Sequence, residues 1–456
     1  MTSRRQFLSA ATAFAAAVAA LAFGGFAKDT HDAPIPNGPF KDGDRVVFLG
    51  DSLTQGGRYH RIVADYYLTR FPERNIRFFD AGVGGDSVKY CWPRFVSDVV
   101  RPKPTVVSVM FGSNDAGFRS PAEFTADMTN LARRIARECG NPRTVWITST
   151  PYDEYSVRES PKARKGYDAK MRVLEEAVRI AADFAKGGYC EFGDPLRDYM
   201  AWKRHDDPAF SLMPDRDHPK EPGHLVMAWQ FLKQQGAPSL VSEVRVDAAA
   251  LTATAENATV GRPRRDGRAV ELEVTEKALP MPFHAEAKFV LDDLPIVKDL
   301  SRETLKASGL GGGWWALVID GLQVVEASAE AWAKGVDLAT VDTPQMRQAK
   351  RVADLNGESR KVLNRYRRFV AMRWWTQWSP KIVRHPDDEE NYDDLRALWR
   401  ECVRIGDTNN YYNCVMPQYW DYWPNRAAEL KKADALYDAA RAAAQPVRRT
   451  WRLEPR

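Results

Sequence analysis

Cysteine is scarce in this chain, neither charge dominates, and no long apolar run follows the first residues. Five Cys (Cys91, Cys139, Cys190, Cys402 and Cys414) are scattered over 456 residues. None forms a Cys-x-x-Cys pair, so a disulfide framework, a zinc knuckle and a thioredoxin-type redox site have no support. Cys402 and Cys414 can pair in an exported protein, and free thiols are the equal alternative. Lys and Arg number 66 against 61 Asp and Glu, for a formal net charge of +5. That balance lacks the concentrated basic face that holds nucleic acid, so no nucleic-acid partner is expected. Hydrophobic residues make up 44% and charged residues 28%. Such ordinary values exclude a wholly disordered or collagen-like chain. At about 100–200 residues per domain, the length implies two or three domains.

The N-terminus stands apart. Ser3-Arg4-Arg5-Gln6-Phe7-Leu8 precedes an uncharged, Ala-rich run that closes on Gly25-Phe26-Ala27. An Arg pair, an apolar stretch and a small-x-small end mark residues 1–27 as a secretory signal. The twin Arg implies export in the folded state. A membrane anchor is the alternative reading, since about 18 apolar residues nearly span a bilayer. The Ala/Gly richness favours the signal and a periplasmic or extracellular protein, with no stable membrane insertion once the signal is removed.

From Asp44 to about Gln235 short apolar runs alternate with helical stretches. The runs are Arg45–Gly50, Ile76–Asp80, Thr105–Gly112, Thr144–Thr148 and Tyr189–Phe192. Helices are predicted over Tyr59–Phe71, Pro121–Glu138, Lys165–Ala185 and Pro222–Gln235. Continuous apolar strands separated by helices imply an α/β fold with a parallel sheet covered on both faces. Ligands then bind beyond the C-terminal strand ends.

Four segments fall at that edge. Gly50-Asp51-Ser52-Leu53-Thr54 exposes a Ser just past the first strand. It is not a Gly-x-Ser-x-Gly elbow, because Thr54 fills the last position, and Asp-Ser is also a common cap. Asp80-Ala81-Gly82-Val83-Gly84-Gly85-Asp86-Ser87 lets backbone approach a ligand, or makes a tight turn. Gly112-Ser113-Asn114-Asp115 offers an amide donor, or an Asx-turn. Asp215-Arg216-Asp217-His218-Pro219 puts a carboxylate and an imidazole three residues apart, on one side of a turn. There the acid orients the ring that takes a Ser proton. A surface loop with a casual His is the bland reading.

In this order, the four segments together resemble the SGNH (GDSL) hydrolase family, over about Asp44–Gln235. The resemblance implies the flavodoxin-like three-layer α/β/α sandwich. It implies Ser52 as nucleophile, His218 as base then acid, and Asp215 as its orienting carboxylate. The oxyanion hole it implies comprises the Ser52 and Gly85 backbone N–H groups and the Asn114 amide. No metal or cofactor is expected. Asp80 stands where a neutral Asn is frequent in the family, and Asp217 is a rival to Asp215 beside His218.

Other residues receive lesser roles. Arg58 and Tyr59, with His60, are candidates for the pocket lining, or else the first turn of a covering helix. His224 is expected to pack or cap. Asp51 and Asp115 are expected to brace the site loops. The Arg-rich stretch Arg347–Arg368 reads as an ordinary charged helix face.

Beyond residue 237 the pattern changes. Glu243–Val246, Ala269–Val274, Ala287–Leu291 and Trp315–Ile319 read as strands, and Asp320-Gly321 as a hairpin turn. Helices are predicted over 343–369, 394–404 and 426–444. The chain thus divides into a signal (1–27), a catalytic domain (40–237), a small β-sandwich-like module (238–340) and a helical, Trp-rich region (341–456). Gly335-Val336-Asp337-Leu338-Ala339 with Thr343-Pro344-Gln345 resembles C-terminal regions attached to exported bacterial members of the family. Ten of the 14 Trp lie from Trp314 onward, grouped as Trp314-Trp315, Trp374-Trp375 with Trp378, and Trp420 with Trp423. They dock the appendage or line a carbohydrate cleft. The expected substrate is a small-molecule or glycan ester, with O-acetyl removal from a carbohydrate foremost. A lipase or thioesterase, a broad arylesterase and a carbohydrate-binding protein with a vestigial site are the alternatives.

Overall fold

The computed structural model describes residues 38–156, 163–377, 379, 381–384 and 389–456. The signal read at 1–27 and Trp378 lie outside the described residues.

Five strands form the first sheet: β1 (Arg45–Gly50), β2 (Arg77–Gly82), β3 (Val106–Met110), β4 (Arg143–Ile147) and β5 (Gly188–Cys190). All pair in parallel, in the order β2-β1-β3-β4-β5. This is the flavodoxin-like order, with its switch point beside β1. Alternate side chains of β1 feed two cores. Val46 and Phe48 pack with helices α2 (Arg58–Arg70), α5 (Gly193–Lys203) and α6 (Glu221–Gln234). Val47 and Leu49 pack with α3 (Pro121–Glu138) and α4 (Tyr167–Ala185). The three-layer α/β/α sandwich follows. A short α1 (Ser52–Gln55) leaves β1 directly. Helix α3 starts where Ser120 and Glu123 form a capping box before Pro121. Helix α5 carries no apolar run long enough to stand out in the sequence.

The β-rich module is two sheets enclosing one core. One sheet contains β6 (Leu240–Asp247), β7 (Thr252–Glu256), β11 (Arg302–Ser308) and β14 (Val336–Asp337). The other holds β8 (Ala258–Val260), β9 (Arg264–Asp266), β10 (Ala269–Glu276), β12 (Trp314–Ile319), β13 (Leu322–Ser328) and β15 (Arg448–Pro455). Val244, Leu305, Leu272, Leu317, Trp332 and Trp451 meet between them. Asp320 and Gly321 both take positive φ, 50° and 80°, and join β12 to β13 as a two-residue hairpin turn.

Two expectations are overturned here. Residues 287–291 are not a strand: Ala285–Ala287 is a 3-10 turn and α7 (Lys288–Asp293) is helical. Ala287, Val290 and Leu294 recur at helical spacing and bury against the catalytic core. The region after residue 341 is also not wholly helical. Strand β15 returns to the module and pairs antiparallel with both β10 and β12. Trp451 and Leu453 point inward, while the intervening Arg452 pairs with Asp266 at 2.8 Å. The Arg-rich composition of 448–452 conceals that alternation.

After α8 (Ile296–Leu300) and α9 (Ala329–Lys334), the long α10 (Pro344–Thr376) is capped by Thr343 and has Pro344 in its first turn. It packs against α2 and against α13 (Arg426–Ala443). With α11 (Tyr392–Ile405) and α12 (Met416–Tyr422) it builds an aromatic core of Phe369, Trp374, Tyr412, Tyr419, Tyr422 and Trp423. Val83, from the loop after β2, belongs to that same core. Among the described residues no helix is long and apolar enough to cross a membrane. All five Cys are free thiols.

Candidate active site

Strand β1 delivers Ser52 to the ligand edge of the sheet. Gly50 has to be glycine there, since a Cβ would lie 2.3 Å from Thr54 Oγ1 and 2.7 Å from the Met110 carbonyl oxygen. Asp51 caps α1 and accepts the Leu53 N–H at 3.0 Å. Burial raises its carboxyl to about 7, against the pull of that amide and of His218.

The loop before α6 supplies the partner groups. Ser52 Oγ lies 2.9 Å from His218 Nε2, and His218 Nδ1 lies 2.8 Å from Asp215 Oδ2. Asp215 Oδ1 also accepts the backbone N–H of Asp217 at 3.1 Å and of His218 at 2.8 Å. Partial burial works against ionising Asp215. The His218 backbone and ring outweigh it and hold the carboxyl below its ordinary range. Asp217 faces elsewhere and accepts Arg164 Nη2 at 2.7 Å. Arg216, at φ 78°, turns the loop, and its guanidinium donates to the carbonyls of Asp153 and Glu154 at 3.1 and 2.7 Å. The side chains of His218 and Asp215 are 48% and 46% exposed, so the hydrogen-bonded chain opens to solvent.

The three donors read from the sequence lie on the loops that follow β1, β2 and β3. The N–H groups of Ser52 and Gly85 have no acceptor among the described residues. Asn114 uses one amide N–H on the Asp86 carbonyl at 2.9 Å, which leaves its second N–H for a ligand. Asp115 accepts the N–H groups of Val88 and Gly112, each at 3.2 Å, and joins the two loops as expected. Burial raises its carboxyl to about 8.

A buried charge network underlies the loops. Arg94 donates to Asp86 at 2.5 and 2.8 Å, to Asp98 at 3.0 Å, and to the carbonyls of Ala81 and Gly50 at 2.6 and 3.1 Å. Arg367, from α10, donates to Asp98 at 2.9 Å and to the Gly82 carbonyl at 3.0 Å. The stretch 347–368 is therefore more than a charged outer face, because Arg360 and Arg367 are both buried. They also account for Asp80. Burial raises its carboxyl, and the positive charges of Arg367 and Arg360 oppose that rise. An aspartate is tolerated here because the appended helix brings cations to it. Neither Arg94 nor Arg367 carries a local sequence signal; each is one Arg among many until the fold places it.

Some assignments need correcting. Tyr59 does not line the site: it is fully buried, packed edge-on to Phe48 and Phe192 and parallel to His224. His60 is likewise buried, stacked on Phe48 at 4.7 Å, with Nε2 3.0 Å from the Thr54 carbonyl. Arg58, unlike these two, is exposed at the start of α2. The helical phase of α2 explains this: residue 58 faces solvent, and residues 59 and 60 face the sheet. His224 packs as expected, and burial lowers its imidazole to about 3. Most of the late Trp serve packing. Trp315, Trp332 and Trp451 fill the β-module, and Trp374 and Trp423 the helical core. Trp375 is different, 38% exposed and against the Gly84-Gly85 loop. No cluster of three or more His, Cys, Asp or Glu among the described residues is arranged to hold a metal ion.

Known proteins resemble parts of this chain or nearly all of it. Residues 48–226 match the model of the GDSL-like lipase/acylhydrolase family. An acetylxylan esterase of Geobacillus stearothermophilus is 25% identical over 211 residues, which are 42% of this chain and 94% of that protein. An uncharacterized lipoprotein of Bacillus subtilis is 35% identical over 77 residues, about a third of its own length. A solved structure of a gut microbial diltiazem-metabolizing enzyme superposes with a TM-score of 0.81 at 27% identity. That likeness covers 92% of this chain and 99% of the other, so it spans the β-module and the helical region too. Residues 48–226 are thus a domain of the GDSL-like lipase/acylhydrolase (SGNH) family, an ester-hydrolase unit built on the three-layer α/β/α sandwich.

Proposed function

We propose that the chain is an exported serine esterase that removes O-acetyl groups from a carbohydrate through an acyl-enzyme. The carrying observation is the unbroken chain from Ser52 Oγ through His218 to Asp215, at 2.9 and 2.8 Å. A serine hydroxyl is a poor nucleophile until an adjacent base takes its proton. In this reading His218 Nε2 takes that proton as Ser52 Oγ attacks the ester carbonyl carbon. Asp215 holds the imidazole in the tautomer that can accept it and stabilises the imidazolium. The tetrahedral oxyanion is received by the N–H groups of Ser52 and Gly85 and by the free amide hydrogen of Asn114. Each such donor is worth roughly 10²–10³ in rate. His218 then protonates the departing alcohol. A water, deprotonated by the same imidazole, releases the acid.

Support for a carbohydrate comes from three sides. The site is open, as suits an ester on a bulky glycan. The acetylxylan esterase is a relative over 94% of its own length. The Arg4-Arg5 leader read from the sequence would place the enzyme outside the cytoplasm, where polysaccharide is met. A second reading, a broad arylesterase for small molecules, draws support from the nearly full-length likeness to the diltiazem-metabolizing enzyme.

Labelling with a fluorophosphonate tests the chemistry, and acyl-chain preference tests the substrate. Wild type should label, Ser52→Ala should not, and p-nitrophenyl acetate should be cleaved faster than the octanoate. Acetate should also be released from acetylated xylan. Labelling that survives Ser52→Ala removes the serine mechanism. Preference for octanoate removes the deacetylase reading. Turnover of aryl acetates with none of acetylated glycans selects the arylesterase.

A further inference from the structure

The loop carrying Gly85 is held from outside the catalytic domain. Three backbone groups of Gly82 and Gly84 have partners. The Gly82 carbonyl accepts Arg367 Nη2 at 3.0 Å. The Gly84 N–H donates to Gln55 Oε1 at 2.6 Å. The Gly84 carbonyl accepts both Trp375 Nε1, at 3.3 Å, and the Tyr412 hydroxyl. Arg367 and Trp375 lie on α10, and Tyr412 on the segment before α12. Trp375 and Tyr412 stack on each other, 5.3 Å between centroids and 27° apart. Gly85 sits at φ 74° with the Trp375 ring edge 3.2 Å from where a Cβ would be. That pairing demands glycine both for its conformation and for the close approach of the ring.

A peptide unit is planar and trans, so its C=O and N–H point in opposite directions. Whatever fixes the Gly84 carbonyl therefore also fixes the Gly85 N–H. Two donors from the helical region hold that carbonyl, and they turn the Gly85 N–H away from that region. Donation to the carbonyl also polarises the same peptide and makes its N–H the stronger donor.

We propose that Trp375 and Tyr412 are positioning residues for the oxyanion hole: by clamping the Gly84 carbonyl, the C-terminal helical region aims the Gly85 N–H at the developing oxyanion. The inference rests on the reading of Ser52 as nucleophile and Gly85 as oxyanion donor. It gives the appended region a part in the reaction itself and not only in docking.

The test uses the full chain with Tyr412→Phe, Trp375→Phe and the double variant, on p-nitrophenyl acetate. Both changes keep an aromatic ring and its stacking while removing the donor. Loss of a whole oxyanion donor costs about 10²–10³ in kcat, so each single change should lower kcat about tenfold and the pair about a hundredfold. KM should stay within about twofold, because the ground-state carbonyl gains little from the donor. The affinity for a boronic acid that forms the tetrahedral adduct should fall with kcat. Trp314→Phe, on the far β-module, serves as the control and should leave all three quantities unchanged. Unchanged kcat in the folded double variant overturns the proposal, as does a rise in KM at constant kcat, which would make Trp375 a substrate contact. If either single variant fails to fold, Tyr412→Leu with Trp375 intact gives the same readout. Absence of wild-type hydrolysis, or labelling that survives Ser52→Ala, would instead defeat the underlying esterase reading.

Discussion

Arg367→Met is a sharp test of the coupling between the helical region and the catalytic sheet. Arg367 is buried, donates to Asp98 at 2.9 Å, and donates to the Gly82 carbonyl at 3.0 Å. Burial alone would raise the Asp98 carboxyl; Arg367, followed by Arg94, reverses that and holds it at about 2 against an ordinary 3.8. At about 1.36 kcal/mol per pH unit, that difference amounts to about 2–3 kcal/mol favouring the charged form. Methionine preserves the bulk and removes the charge. It leaves Arg94 as the one cation on Asp98, takes the Arg367 donor from the Gly82 carbonyl, and deprives Asp80 of its principal counter-charge. Removing one partner of a buried pair costs about 3–5 kcal/mol, and that is the loss expected in urea unfolding at pH 7. The pH dependence has a definite sign. A carboxyl with a lowered folded pKa contributes stability above its unfolded value and loses it as pH falls toward the folded one. In wild type that window runs from about 4 down to about 2. In Arg367→Met the folded pKa rises toward the unfolded one, so the window narrows and acid costs the variant less of its remaining stability than it costs wild type. The double variant Arg367→Met/Asp98→Asn should recover at least about 1 kcal/mol over the sum of the singles. A single-variant loss below about 0.5 kcal/mol, the level of an ordinary surface change, would refute the reasoning. So would strict additivity in the cycle.

Asp215→Asn should lower kcat about 10³–10⁴-fold with KM little changed, because an amide can donate to Nδ1 and present Nε2–H to Ser52. An effect under tenfold, with a larger one for Asp217→Asn, would move the orienting role to Asp217. A buried pair outside the site yields a stability prediction. Glu303 and Glu276 are both buried where the β-module meets α10, and Glu276 accepts Ser242 Oγ and, at 2.7 Å, Gln345 Nε2. Burial and the neighbouring Glu276 raise the Glu303 carboxyl well above its ordinary value. A raised folded pKa means stability that is present at low pH and falls as pH rises past the unfolded value. Glu303→Gln should therefore raise the melting temperature relative to wild type at pH 8 and by much less at pH 5. An equal change at both pH values would show that the pair carries no proton linkage.

The catalytic half was legible in the sequence because its signals are local. The parallel strands are short, largely apolar runs separated by helical stretches, of which α3 carries its own capping box, so the strands and four of the helices stand where the pattern puts them. Ser52, Gly85, Asn114 and the Asp215–His218 turn each sit just past a strand or before a helix, and strand order alone delivers them to one edge. The sequence favoured Asp215 over its rival Asp217 on spacing. The turn at Arg216 and the pull of Arg164 show how the two are separated. It could not place Tyr59 and His60, since the phase of a helix relative to the sheet depends on what the sheet presents. It missed β15, because eight residues at the chain's end find their partners about 130 and 180 positions earlier. Strand pairing over that distance leaves no trace in composition. The Trp excess was visible at once, but its purpose was not. Stacking and hydrogen bonding require a neighbour, and for Trp375 that neighbour is a loop nearly 300 residues away. Local chemistry is thus written in the chain order, while the clamp on the Gly84 carbonyl and the buried Arg367 pair exist only once tertiary packing excludes water and brings distant groups within reach.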